Sequence, residues 1–225
     1  MASSKGTNGM QIKLTSVGKR YNYEWIFRNL SYEFVSGKAY AILGHNGSGK
    51  STLISLLSGF QLHSEGDISY SLGSRQLVVE QVYRHLSIAA PYQDLLEELT
   101  LEEMIQFHTR FKSLRNITAQ QLPDILQLQK AKHKLVRDFS SGMRQRLKLG
   151  LALYSDTPFL LLDEPTTNLD QDGVAWYLEH LHQNRKDRLV IIGSNVPHEY
   201  SFCDEQLSIN QFHYTAPARK NSLIQ

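Results

Sequence analysis

Apolar and polar residues alternate over residues 11–17 and again over 30–34, the two-residue period of a half-exposed strand. A turn at Gly37 separates this pattern from Lys-Ala-Tyr-Ala-Ile-Leu at 38–43, a short strand that runs directly into glycines. Residues 52–57 are apolar on most sides and predict a buried helix, while 66–70 and 77–79 predict short strands. Near residue 100 the character changes. Thr100-Leu-Glu-Glu103 has the form of a capping box, in which the hydroxyl caps backbone donors and the glutamate reaches back. Met104, Phe107, His108 and Phe111 follow at helical spacing. Thr118-Ala-Gln-Gln121 offers a second box, with Pro123 early in its helix, where a missing N–H costs little. Residues 100–155 therefore read as a helical insert in an α/β domain. Beyond it, segments 159–163, 170–185, 188–194, a short helix and 206–210 give β-α-β-α-β, which argues for a largely parallel sheet. Residues 1–10 read as a disordered lead-in and 211–225 as a tail, either a surface strap or disordered.

Composition narrows the class without choosing a function. Of 225 residues, 41% are apolar and 20% charged, the balance of a soluble globular domain. A formal net charge of +2 is too small to argue for nucleic acid, and no nucleic-acid partner is expected. Cys203 is the only cysteine, which excludes an internal disulfide and points to a reducing cytosol. No apolar run approaches the roughly 20 residues needed to cross a bilayer. The first ten residues carry one lysine and no apolar core, unlike a secretory signal.

The candidate chemistry begins where strand 38–43 meets its glycines. Gly44, His45, Asn46, Gly47, Ser48, Gly49, Lys50 and Ser51 fit G-x-x-x-x-G-K-[ST] without mismatch, with Thr52 on the helix that follows. Glycines let successive N–H groups turn toward phosphate oxygens, and Lys50 sets a positive charge on the β- and γ-phosphates. The Ser51 hydroxyl is placed to coordinate Mg²⁺, and the helix adds the positive end of its dipole. This cradle alone says only nucleoside triphosphate. Downstream, Phe159-Leu-Leu-Leu-Asp163-Glu164 is an apolar strand tipped by two acids. Asp163 is placed to bind Mg²⁺ directly or through water. Glu164, one step on, is placed to polarise the attacking water.

Between these motifs lies Phe139-Ser-Ser-Gly-Met-Arg-Gln-Arg146, and directly after the acids comes Pro165-Thr-Thr-Asn-Leu-Asp170. This order resembles the ABC-transporter ATPases over about residues 15–210. The resemblance implies an α/β P-loop NTPase fold with a mostly parallel core sheet, an N-terminal antiparallel β subdomain and an inserted helical subdomain within residues 11–210. Ser140, Ser141, Gly142 and Met143 stand at the family's S-G-G-Q signature positions, and Ser141 and Met143 depart from it. In that family the signature completes the site of a second copy, so two ATP are sandwiched in a dimer. Asn168, Leu169 and Asp170 match the loop along the dimer seam, although Asp170 also reads as an N-cap for the next helix. Tyr21 stands at about the family's distance for the aromatic that stacks on adenine, with Tyr23 and Trp25 near enough to compete.

Two positions depart further. The family's loop glutamine, which touches Mg²⁺, has its counterpart within 88–100, where Gln93 is the only glutamine and lies closer to Thr100 than usual. The family's switch histidine is replaced by Asn195, with His198 three residues on. Asparagine donates only as a neutral amide, so a charge-assisted contact worth about 1–2 kcal/mol is lost. A slow ATPase is the expectation, since Glu164 remains. The resemblance implies a cytoplasmic subunit, bound peripherally to the membrane through integral transporter subunits that dock on the helical insert. The alternatives are a soluble ABC ATPase of translation or DNA repair and a regulatory module that dimerises on ATP without transport. One P-loop and no heptad pattern rank the former low.

Overall fold

The computed structural model describes residues 9–213. Strand β1 (Met10–Tyr21) turns through Asn22 and Tyr23 into β2 (Glu24–Val35). Asn22 takes the left-handed conformation (φ 53°) that a two-residue hairpin turn requires and asparagine tolerates. β1 also pairs antiparallel with β4 (Glu65–Leu72), and β5 (Arg75–Leu77) completes a sheet of order β2-β1-β4-β5. Both hairpin strands are longer than their alternation predicts. β1 buries Met10, Ile12 and Leu14, then slips, so that Val17 is the next core residue. Ser16 and Asn29 have positive φ at that irregularity. A bulge moves the inward face by one residue, and a strict two-residue period cannot be followed across it.

The second sheet has the order β6-β7-β8-β3-β9 and is parallel at every pairing. Its strands are β3 (Ala39–Leu43), β6 (Leu86–Ala89), β7 (Phe159–Asp163), β8 (Leu189–Gly193) and β9 (Glu205–Ser208). β7 and β8 are buried at every residue, as continuous apolar runs in a doubly covered parallel sheet must be. Phe159, Leu161, Leu189 and Ile191 pack with the hairpin and helix α1 (Lys50–Leu57). Leu160, Leu162, Val190 and Ile192 pack on the opposite side with α5 (Ser141–Tyr154) and α6 (Gln171–Asn184). The fold is α/β, with an antiparallel sheet beside a parallel one.

Between β6 and β7 lie α3 (Leu101–Thr109), the single turn α4 (Leu122–Ile125), two 3-10 turns and α5. The Thr100–Glu103 box forms completely, with the hydroxyl accepting from Glu103 N and Glu103 accepting from Thr100 N. The second box forms by half. Gln121 Oε1 accepts from Thr118 N at 2.8 Å, but Gln121 N donates to Thr118 O at 3.1 Å and not to the hydroxyl. Pro123 is then the second residue of a helix only one turn long. Of the predicted strand 77–79, Leu77 ends β5 and Val79 opens the short helix α2 (Val79–Val82). Strand β6 has no alternation to betray it. Its Ser87 is buried because it accepts from Arg188 Nη2 at 2.7 Å. Arg188, buried at the start of β8, also donates to Leu153 O and Thr157 Oγ1, and burial pulls its pKa down to about 9. Of the predicted tail, Gln211 and Phe212 belong to a 3-10 turn after β9. The expectations for residues 1–8 and 214–225 fall outside the described residues.

Candidate functional site

The carboxyl ends of β3, β7 and β8 open toward one crevice, the usual place for a ligand on a parallel sheet. From β3 the chain enters the glycine loop. Gly47 and Gly49 have φ of 79° and 98°, a region side chains avoid. At Gly49 space matters as well, since a Cβ there would stand 2.4 Å from Ile26 Cγ2 on β2. Helix α1 starts at Lys50 with Gly49 as its N-cap and no side-chain cap, leaving its first N–H groups for a ligand. Lys50 is 4% exposed and curls back, donating from Nζ to Gly44 O at 2.8 Å and His45 O at 3.2 Å. The Ser48 hydroxyl is buried in the loop without a hydrogen-bond partner among the described residues. Ser51 is exposed and Thr52 half-buried on the first turn.

β7 delivers Asp163 to this corner. The residue is 0% exposed, and among the described residues neither carboxylate oxygen accepts a hydrogen bond of normal geometry, the Ser51 hydroxyl being the polar neighbour. Burial pushes its carboxyl up to about 6, opposed first by the hydrogen-bonding Ser51 hydroxyl, with the charge of Glu164 adding, Lys50 opposing and Glu199 adding least. An unpaired buried carboxylate is costly, and a cation bound there removes the cost. The donor set of hard oxygens, Asp163 with Ser51, fits a magnesium ion. Glu164 follows in a left-handed conformation (φ 47°) held by its N–H donating to Gly193 O at 2.9 Å. Backbone in that region costs a non-glycine residue about 1–2 kcal/mol, a strain typical of functional turns. Gly193 itself was not singled out from the sequence. A Cβ there would stand 2.8 Å from Asp163 Oδ1 and 2.4 Å from Ile54 Cδ1, so only glycine lets β8 pass the acid.

Asn195 follows β8 and donates from Nδ2 to Asn46 Oδ1 at 3.0 Å, which brings it against the glycine loop. His198 faces Thr166 Oγ1 at 3.4 Å instead. Tyr21, at the hairpin end and 44% exposed, donates to Gln61 Oε1 at 2.8 Å, with Lys19 Nζ 5.0 Å from its ring centre. Tyr23 projects from the turn at 97% exposure, whereas Trp25 lies under the guanidinium groups of Arg20 and Arg28.

Other predicted residues gather elsewhere. Ser140 caps α5, its hydroxyl accepting from Met143 N at 3.3 Å, and Asp170 caps α6 through Gly173 N at 2.8 Å. Ser140, Gly142, Met143 and Asp170 line a hollow of about 430 Å³ with Asn168 and Arg146, and no residue of the glycine loop lines it. Ser141 opens α5 beside them. Gln93 lines a groove of about 580 Å³ between β6 and the helical insert, with its Oε1 buried and without a partner among the described residues. The adjacent Tyr92, also missed from the sequence, has its hydroxyl pKa raised by burial, with the Asp163 charge adding to it.

Comparison with known proteins decides the family. The family described as ABC transporter matches residues 27–167. The chain belongs to the ABC transporter ATP-binding family. An uncharacterized ABC transporter ATP-binding protein of Bacillus subtilis, YybJ, is 31% identical over 208 residues, covering 88% of this chain and 92% of its own length. The Nod factor export ATP-binding protein I of Rhizobium johnstonii is 28% identical, covering 95% of this chain and 71% of its own. Among solved structures, an ATP-binding subunit of an ABC transporter aligns with a TM-score of 0.75 at 24% identity, over 88% of this chain and 85% of that one. An ATP-bound bacterial Atm1-family ABC exporter aligns with a TM-score of 0.76 at 20% identity, over 90% of this chain and 37% of that one. Both structural likenesses establish the P-loop fold of ABC ATPases. No helix among the described residues is long and apolar enough to cross a membrane.

Proposed function

We propose that this ABC ATP-binding subunit binds Mg-ATP in the crevice at Gly44–Thr52 and hydrolyses it slowly, dimerising around two ATP to drive a separate transmembrane subunit. The observation that carries the reading is Asp163, whose two buried oxygens, without a hydrogen bond of normal geometry among the described residues, stand at a strand end beside an uncapped glycine loop. The loop amides and the α1 N-terminus receive phosphate oxygens, and Lys50 exchanges its two carbonyl partners for the β- and γ-phosphates. Magnesium, held by Ser51 and Asp163, would neutralise charge on the phosphates. Glu164 polarises the attacking water and Asn195 donates its amide to the γ-phosphate. Tyr21 carries the adenine ring. Ser140, Ser141, Gly142, Met143 and Asp170 meet the nucleotide of a second copy. The Ser140 hydroxyl accepts one bond in its cap and keeps its proton for a phosphate oxygen.

The groove beside Gln93 supports docking of a membrane partner on the helical insert. It is lined by Tyr83, Tyr92, Met104 and Leu151, with exposed Phe60 at its edge, a mainly apolar surface on the cytoplasmic face of such an assembly. Titration calorimetry with Mg-ATP tests the core reading. Wild type binds, and Lys50→Ala loses affinity at least about tenfold; equal affinity rejects the cradle. Turnover of wild type no greater than Glu164→Gln, with ATP-driven dimerisation retained, would instead favour a regulatory switch without transport.

A further inference from the structure

The nucleotide reading leaves one buried acid without a task. Glu199, in α7 (Pro197–Tyr200), is 2% exposed and takes part in no ion pair among the described residues. Its Oε1 accepts from Thr166 N at 2.7 Å and from the Thr166 hydroxyl, and its Oε2 accepts from the Ser194 hydroxyl. A carboxylate taken out of water without a counter-cation is costly, and an apolar side chain would fill the same space more cheaply. What the carboxylate provides is a bridge between two particular loops.

Thr166 lies two residues beyond Glu164, and Ser194 directly precedes Asn195. Each end is tied to the sheet as well. Glu164 N donates to Gly193 O at 2.9 Å, and Ser194 N donates to Ile42 O at 3.2 Å. The Ser194 hydroxyl also accepts from Val196 N at 2.9 Å, which shapes the bend that presents Asn195. The two groups assigned to the water and to the γ-phosphate therefore sit on turns that leave a shared sheet pairing and that one side chain bridges beyond it.

We propose that Glu199 is a positioning residue, a clamp that fixes the Glu164 turn relative to the Asn195 loop while touching neither nucleotide nor water. The inference rests on the ATPase reading above. Misplacing reacting groups by about 1 Å costs on the order of a hundredfold in rate, while ground-state binding through the glycine loop is spared.

The full chain is assayed for steady-state Mg-ATP turnover and for Mg-ATP affinity by calorimetry. In Glu199→Ala, kcat falls roughly 30- to 100-fold with affinity within about threefold of wild type. Glu199→Gln keeps one acceptor oxygen and recovers about tenfold of that loss, and Thr166→Val, which removes only the hydroxyl donor, lowers kcat about threefold to tenfold. If Glu199→Ala does not fold, the Gln and Val variants decide by the same split. An unchanged kcat overturns the clamp, and so does a parallel fall of kcat and affinity, which a merely loosened structure would give. Lys50→Ala separates the two readings. Wild-type turnover no higher than Lys50→Ala rejects hydrolysis and the clamp together, whereas wild-type turnover matched by Glu199→Ala rejects the clamp alone.

Discussion

Helices α1 and α5 both begin beside a loop assigned to ATP, and they treat their free N-terminal amides in opposite ways. α1 starts from Gly49 with no side-chain cap, over a lysine buried beneath the loop. α5 starts from Ser140, whose hydroxyl occupies Met143 N. The first end is left incomplete by its own chain, so a ligand lowers its free energy most. The second is already stable without one, which suits a surface that meets nucleotide only when another copy supplies it. Glycine geometry follows the same division. Gly49 needs both a positive φ and empty space, whereas Gly142 has an ordinary backbone and a virtual Cβ 3.1 Å from Asn168 O.

This contrast is broken most severely at Gly49. Gly49→Ala forces a methyl into Ile26 and a side chain into left-handed backbone, so stability falls by about 2–4 kcal/mol and Mg-ATP affinity by roughly a hundredfold. Denaturant melts and calorimetry check this, and Gly142→Ala is the control that leaves single-chain affinity unchanged. Asp163→Asn comes next. Burial raises the wild-type carboxyl to about 6 in the fold, against its ordinary 3.8 when unfolded. The folded chain therefore binds the extra proton between those values, and the stability present below about pH 4 is lost as pH rises through 6. Without nucleotide, Asp163→Asn is more stable than wild type above pH 6 by up to about 3 kcal/mol, while its magnesium-dependent gain in ATP affinity disappears. A melt series from pH 4 to 8 reads this directly. Asn195→His restores a charge-assisted donor and raises kcat about tenfold, by steady-state assay. Ser140→Ala is the mildest change, costing about 1 kcal/mol of stability with single-chain Mg-ATP affinity intact. A large affinity loss there would mean that both helix starts serve one nucleotide.

The site was legible where short-range chemistry dictates residue type. The glycine loop, the apolar strand ending in Asp163 and the Thr100 capping box each need particular residues at fixed spacing, and all three form. The second box at Thr118 shows the limit of that logic, because Gln121 N finds the Thr118 carbonyl in place of its hydroxyl. Tyr92, Gly193 and Glu199 were invisible for a different reason. Each matters through a neighbour far along the chain, such as the Asp163 oxygen that only Gly193 can pass.

From its order of residues alone, this protein was committed to a glycine-rich turn, a parallel sheet of apolar strands and an acid at the end of one of them. Those features follow from local backbone freedom and from hydrophobic period, both written within a few consecutive positions. Tertiary structure alone decided which carboxylate would be buried beside the glycine loop, how far the bulged hairpin extends, and that Glu199 bridges Thr166 and Ser194. Desolvation and long-range hydrogen bonding depend on what surrounds a residue in space, and that is set only when strands distant in sequence lie side by side.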